Sequence, residues 1–186
     1  MGRNGEATRL ALLEAGGRLW ACEGLIVAVN RIVSEAGCKN PSAVRFHFGG
    51  RDGLLDAVIE HLATPFETDV ATRLAAGVSE VRAVVESLAD DTAVPRDLAP
   101  VLAQVIADPT IDRERWDPHL PVVLQALSVA SRSAGAEERV DALVLSAMVM
   151  LVQRIAESQR EPDGRGRVDV DGLVTDIERF LGAAPD

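Results

Sequence analysis

Apolar residues recur at helical spacing along most of the chain. Between residues 8 and 22, Leu12, Leu13, Leu19 and Trp20 fall on one side of a helix. The same spacing returns over residues 51–74, 78–88, 95–108, 117–135 and 137–157, and in a last helix near residues 173–181. Hydrophobic residues make up 47% of the chain but aromatic residues only 3%, which favours helices packed through aliphatic side chains. The pattern predicts an all-α chain of about nine helices.

Two short helices joined by a tight turn are predicted between residues 28 and 48. The first ends at Gly37, because glycine tolerates the left-handed conformation that ends many helices. The second is predicted to begin with Asn40 as the cap and Pro41 at the first helical position. Its inward contacts are assigned to Ala43, Val44 and Phe46, and its outward positions to Ser42, Arg45 and His47. A short polar helix braced by another is what reading of the DNA major groove requires.

Three N-terminal segments, in order, resemble the DNA-binding domain of TetR-type (TetR/AcrR) transcriptional regulators. They are Leu12 to Leu25, Ile32 to Gly37, and the sequence VRFHFG followed by RDGLL between Val44 and Leu55. The resemblance stops near residue 60. It implies a three-helix helix-turn-helix domain in residues 1–50. A larger helical domain for ligand binding and dimerisation is then expected in residues 51–186.

The resemblance also implies which residues meet DNA. His47 matches a histidine that contacts phosphate in the family, and Arg45 stands where the family has tyrosine. An arginine there can pair with both acceptors of a guanine edge. Ala28 and Gly50 replace a capping threonine and a capping serine of the family. The expected DNA-binding residues are Lys39, Asn40, Ser42, Arg45, His47 and Arg51.

The net charge of −10 opposes DNA binding until it is divided along the chain. Residues 1–51 hold seven basic and four acidic residues, or +3, and residues 52–186 hold twelve and twenty-five, or −13. A local basic surface can bind phosphates while an acidic body limits non-specific adsorption. A window of this length can also reach +3 by chance.

Glycine and proline leave alternatives open in two predicted helices. Gly16 and Gly17 lie inside the first helix, where each costs about 1 kcal/mol relative to alanine. Either another helix approaches closely there or this helix is weak. Pro65 interrupts the helix of residues 51–74 and either kinks one helix or separates two.

The body is expected to bind a small apolar or amphipathic effector. The predicted lining is Phe66, Leu74, Val101, Val105, Trp116, His119, Val123 and Leu127, with Trp116 as an aromatic wall and His119 as a polar anchor. The competing interpretation is that these side chains only fill a core.

The helix near residues 137–157 is apolar nearly all round, so a homodimer interface is predicted through Leu143, Ala147, Met150, Ile177 and Phe180. A monomer centred on that helix is the alternative.

The sequence contains no catalytic or cofactor motif that would indicate an enzyme. Cys22 and Cys38 are predicted to be core-facing, and neither a disulfide nor a metal site is expected. No cofactor is expected either. The lack of a long apolar run predicts a cytoplasmic protein with no membrane contact. The predicted function is that of a ligand-responsive repressor released from a palindromic operator. The alternative is a helical binding module or enzyme that only resembles the family and does not bind DNA.

Overall fold

The computed structural model describes residues 3–133, 140–159 and 168–182, and this part of the chain is built from helices alone. The α-helices are α1 (Arg3–Glu23), α2 (Val29–Glu35), α3 (Ala43–Phe48), α4 (Arg51–Ala75), α5 (Glu80–Ala89), α6 (Leu98–Ala107), α7 (Pro121–Ser133), α8 (Val140–Gln159) and α9 (Val170–Leu181). Two short 3-10 helices, Arg113–Arg115 and Asp117–His119, lie between α6 and α7. The predicted all-α architecture is confirmed.

The helices α1 and α3 pack on α4, and α2 packs on α1 and α3, so the first three helices and the start of α4 form the head of the molecule. Leu12 and Trp20 of α1 and Ile32 of α2 are fully buried there. A Cβ atom added at Gly16 would lie 3.2 Å from Val58 Cγ2 of α4. The adjacent glycines therefore allow α1 and α4 to approach closely, which is the first of the two explanations that the sequence left open.

A single helix, α4, leads from the head into the rest of the chain. It is 25 residues long and runs through Pro65. The alternative of two helices separated at Pro65 is therefore wrong. Buried side chains on both sides of the proline, including Ile59, Leu62, Phe66 and Val70, hold the helix against its neighbours. This packing offsets the backbone hydrogen bond that proline cannot make.

Several predicted helix ends differ from the structure. α1 begins at Arg3, whereas the apolar pattern placed the start of the first helix near residue 8. α3 begins at Ala43 rather than at Pro41, because Asn40 Oδ1 accepts the N–H of Ser42 at 2.9 Å and stabilises a turn before the helix. Asp117 and Pro118 begin a 3-10 turn, and α7 starts only at Pro121.

The remaining helices form the body around one continuous apolar core. α6 packs against α8, α5 packs against α9, and α1 also packs against α6, so the body and the head share a contact. Cys22 is exposed, so the prediction that it faces the core is wrong. Cys38 is half-buried and packs against the core, as predicted. Within the described ranges, no helix is both long and apolar enough to span a membrane.

Candidate DNA-binding face and effector site

One side of α3 faces solvent and the other side packs on the head. Ala43 and Val44 are buried, which fixes the rotation of this six-residue helix. Because successive residues turn by 100° about a helix axis, Arg45 and Phe46 point away from the packed side, and both are exposed. Phe46 is 72% exposed, so its predicted inward contact is wrong. The exposed side of α3 with Arg45 and Phe46, together with the preceding Ser42, is called the α3 face below.

The turn before α3 borders a cleft of about 650 Å³ against the start of α1. Lys39 and Asn40 are exposed at this cleft, and His47 lines it from α3. The His47 ring is half-buried, with Cε1 4.0 Å from where a Cβ of Gly5 would stand. Its Nδ1 is buried and has no hydrogen-bond partner among the described residues. His47 thus presents only part of its ring at the surface.

Ion pairs within the head determine which of its basic side chains are already neutralised by a carboxylate. Arg18 pairs with Glu35 at 2.8 Å, and Arg31 pairs with Glu23 at 3.0 Å. Neither Lys39 nor Arg45 has a carboxylate partner in the part of the chain that the structure describes. Positive charge without a carboxylate partner among the described residues therefore lies at the turn and on α3, and also at Arg9 of α1, whose guanidinium carbon lies 5.3 Å from the centroid of the Phe48 ring.

Arg51, predicted to contact DNA, is held by backbone carbonyls of the head. Its Nη1 donates to the carbonyl of Val27 at 2.8 Å, and Nη2 donates to the carbonyl of Leu25. The guanidinium carbon lies 5.5 Å from the centroid of the Trp20 ring, which is within cation–π range. Through these contacts Arg51 stabilises the loop between α1 and α2, a role that sequence reasoning missed.

Gln104 of α6 ties the body to the same loop. Its Nε2 donates to the carbonyl of Trp20 at 2.8 Å and to that of Pro100 at 3.1 Å. Its Oε1 accepts the N–H of Leu25 at 2.9 Å. One amide side chain therefore connects α6 with the end of α1 and the loop after it. Sequence analysis did not select Gln104, and the available signal was one polar residue within the apolar sequence of α6.

Most of the predicted effector lining is core. Six of the eight side chains are at most 2% exposed and line neither groove described below: Phe66, Val101, Val105, Trp116, Val123 and Leu127. The structure thus supports the competing interpretation for these six, and their assignment to an open effector site is corrected. The reason is that neighbouring helices fill the space in front of them. Leu74 and His119 do reach surface grooves.

The groove that contains His119 lies between α4 and the start of α7. It measures about 810 Å³. On the α4 side it is lined by Glu60, Glu67 and a row of threonines at positions 64, 68 and 72, and on the α7 side by Pro118, His119, Pro121 and Val122. A second groove of about 830 Å³ includes Leu74 and Gln125 and shares Pro121 and Val122 with the first. The first groove combines polar and apolar groups, as amphipathic ligands require.

Glu67 links the two walls of the first groove. Its carboxylate accepts the N–H of Val122 at 2.6 Å and that of Val123 at 3.0 Å. These N–H groups lie in the first turn of α7 and have no acceptor within their own helix. Burial raises the pKa of Glu67, and the two hydrogen bonds offset only part of that increase. A residue of α4 therefore caps α7.

Replacing Glu67 with alanine is expected to lower the free energy of unfolding by about 1 kcal/mol, because two N–H groups lose their acceptor. Because burial outweighs these hydrogen bonds and the folded-state pKa is raised, ionising Glu67 costs more in the folded than in the unfolded state. The free energy of unfolding is therefore highest below the unfolded-state pKa and falls as pH rises through the folded-state pKa. Glu67→Gln should flatten this pH dependence. Urea unfolding across the acidic range measures both effects, with Glu60→Ala on the exposed side of α4 as control. Equal stability of the Glu67→Ala and Glu60→Ala variants would contradict the capping role.

The predicted dimer residues do not share one surface. Ala147 and Ile177 are fully buried in the chain's own core, so a second copy has no access to them, and their assignment to an interface is corrected. Met150 is half-buried and Phe180 is 41% exposed. The side chain of Leu143 lies outside the described residues. Of the four side chains that the structure describes, Met150 and Phe180 have surface to offer a partner.

The described residues contain no group of three or more histidine, cysteine, aspartate or glutamate side chains placed to hold a metal ion. No protein-family model matches the sequence, and no curated protein matches it.

Solved structures share the fold along nearly the whole chain. The fatty acid degradation regulator FadR from Bacillus halodurans aligns with a TM-score of 0.65 at 14% identity, over 94% of this chain and 98% of that one. A protein assigned to the TetR family of transcription regulators, from Shewanella sp. PV-4, aligns with a TM-score of 0.67 at 12% identity, over 94% and 95%. GusR from Salmonella enterica aligns with a TM-score of 0.57 at 17% identity, over 94% and 93%. The chain therefore has the fold of the TetR-family transcriptional regulators, a helix-turn-helix domain followed by a helical domain.

Proposed function

We propose that this protein is a ligand-responsive DNA-binding regulator that acts as a homodimeric repressor at a palindromic operator. The observation that carries the proposal is the α3 face. There Arg45 is exposed and, among the described residues, has no carboxylate partner, and Lys39 is exposed in the turn next to it. A short helix that presents a free guanidinium, braced by α2 and α4, has the form of a recognition helix.

The division of the chain into head and body supports this proposal. We assign DNA binding to residues 1–50 and effector binding and dimerisation to residues 51–186. The body carries the excess negative charge, which keeps it away from DNA phosphates while the head approaches them. Lys39, Ser42, Arg45 and His47 form the proposed DNA surface. Asn40 stabilises the turn, and Arg51 orients the loop between α1 and α2.

The proposed effector is a small amphipathic molecule bound in the groove between α4 and the start of α7. Threonine, glutamate and histidine side chains there offer polar contacts, while Pro118, Pro121 and Val122 offer apolar ones. A ligand in this groove would touch Glu67 and its bonds to α7. Because α4 also forms part of the head, a shift of α4 would change the placement of α3. Effector binding would then favour an arrangement that does not fit the operator.

A homodimer is proposed because a palindromic operator requires two recognition helices related by two-fold symmetry. The helices α8 and α9 are the proposed contact, and Met150 and Phe180 supply exposed or half-exposed apolar surface on them. This assignment leaves Ala147 and Ile177 in the core of each subunit.

Selection of bound duplexes from a random-sequence DNA pool tests the proposed function. We expect a palindromic site with one protein dimer per duplex in sedimentation, and an affinity whose logarithm falls linearly with the logarithm of salt concentration. A folded protein that enriches no sequence and shows no salt-dependent binding would refute DNA recognition. That result would favour a helical binding module or an enzyme.

Gln104→Ala is expected to loosen the contact between body and head. The N–H of Leu25 loses its acceptor and the carbonyl of Trp20 loses a donor, which should cost about 1 to 2 kcal/mol of unfolding free energy. Hydrogen exchange should become faster at the Leu25 amide. Exchange measured by mass spectrometry on peptides that cover residues 20–28 checks this, with Gln125→Ala, an exposed glutamine of α7, as control. Unchanged protection in the Gln104 variant would show that the contact does not hold the loop.

A further inference from the structure

Phe46 is the most exposed of the aromatic side chains in the part of the chain for which burial is described. It is 72% exposed, whereas Phe66 is fully buried and Phe180 is 41% exposed. The His47 ring meets the Phe46 ring edge-on, with ring centroids 4.9 Å apart and an interplanar angle of 87°. This contact restricts the phenyl ring without covering it. The α3 face therefore displays an oriented apolar ring.

The surroundings of this ring are cationic. Arg45 precedes Phe46 on the α3 face, and Lys39 lies with Phe46 along the cleft beside the turn. Neither cation is neutralised by a carboxylate among the described residues. Two uncompensated positive charges beside an apolar ring suit a partner that combines phosphates with an apolar group. Duplex DNA has this combination.

We infer that Phe46 is a specificity-determining residue that packs against the 5-methyl group of a thymine in the major groove. This inference rests on the proposed DNA-binding function. A phenyl ring can neither donate nor accept a conventional hydrogen bond, so it cannot read the polar pattern of a base edge. The thymine methyl is the apolar group that base edges present in the major groove, and phenylalanine is among the side chains that contact it.

The position of Phe46 also indicates where this thymine lies. Arg45 and Phe46 are consecutive residues on the same exposed side of α3. If Arg45 pairs with a guanine, Phe46 reaches a neighbouring base pair of the same half-site. Each half-site is therefore expected to contain a thymine next to or near that guanine.

Replacement of thymine by uracil tests the inference, because uracil pairs in the same way and lacks only the methyl group. Each thymine of the selected duplex is replaced in turn, and the affinity is measured for wild type and for Phe46→Ala. At one position per half-site, uracil should weaken wild-type binding about fourfold, the value of one buried methyl group. Uracil at that position should leave Phe46→Ala binding unchanged, since the two changes remove the same contact.

A matched control is Ile26→Ala, which removes an apolar side chain that is 92% exposed in the loop between α1 and α2, outside the α3 face, and should keep the wild-type response to uracil. Thermal unfolding of Phe46→Ala should match wild type because the side chain is mostly exposed. If wild type binds its site and no thymine shows a loss that depends on Phe46, the inference is wrong while the proposed function stands. If wild type selects no DNA sequence, both fail, and that result is obtained before any uracil is introduced.

Discussion

Trp116→Ala is expected to lower the free energy of unfolding by about 3 to 5 kcal/mol, the range for removing a large buried aromatic side chain. Trp116 is 2% exposed and lies between the two 3-10 helices. The neighbouring Arg115 Nε lies 3.0 Å from Asp56 Oδ1 of α4, which holds this segment against α4. Rigid surroundings collapse poorly into an emptied space, so most of the lost contact energy should appear as instability.

Urea unfolding followed by far-ultraviolet circular dichroism measures the effect of Trp116→Ala. Trp116→Phe keeps most of the aromatic volume and should lower the free energy of unfolding clearly less than Trp116→Ala. The difference between the two variants measures how much of the effect comes from lost packing. Trp116 was predicted from sequence as the wall of an effector cavity. Two results together would support the effector-cavity interpretation instead. Trp116→Ala would have to unfold within about 0.5 kcal/mol of wild type, and it would have to lose the response to an effector that releases wild type from DNA.

Arg45→Ala is expected to weaken binding to the selected operator by about 1 to 3 kcal/mol, which corresponds to roughly five- to 150-fold in affinity. Because Arg45 is exposed and, among the described residues, makes no ion pair, its removal should leave the fold intact. Non-specific DNA binding should fall much less, since bidentate pairing with guanine exists only at the cognate site.

Arg18→Ala is the matched control for Arg45→Ala. It changes the net charge by the same amount within the same head, but the Arg18 guanidinium is paired with Glu35 at 2.8 Å. Competition binding with labelled operator, repeated at several salt concentrations, compares the variants. If Arg18→Ala and Arg45→Ala weakened specific binding equally, Arg45 would contribute only charge and would not read a base.

The sequence by itself determined the local structure of the head. Leu12 and Trp20 recur at the spacing of a buried helix face, and both are fully buried. Gly37 has a φ of +66°, the left-handed conformation predicted for the end of α2. Such features depend on residues close together in the chain, so they can be predicted from periodicity and capping rules. The order of helices and the resemblance to TetR-type regulators followed from the same local patterns.

Only the tertiary structure decided how distant residues meet. Phe46 is exposed because packing of Ala43 and Val44 fixes the rotation of α3, which the apolar character of Phe46 alone does not indicate. Gln104 reaches the carbonyl of Trp20, 84 residues earlier in the chain, and Glu67 caps a helix that begins more than 50 residues later. Periodicity shows that a side chain faces an interior, but not whether neighbouring helices fill the space in front of it. For this reason six residues predicted to line an effector cavity proved to be core, and the candidate groove was found only in the folded chain.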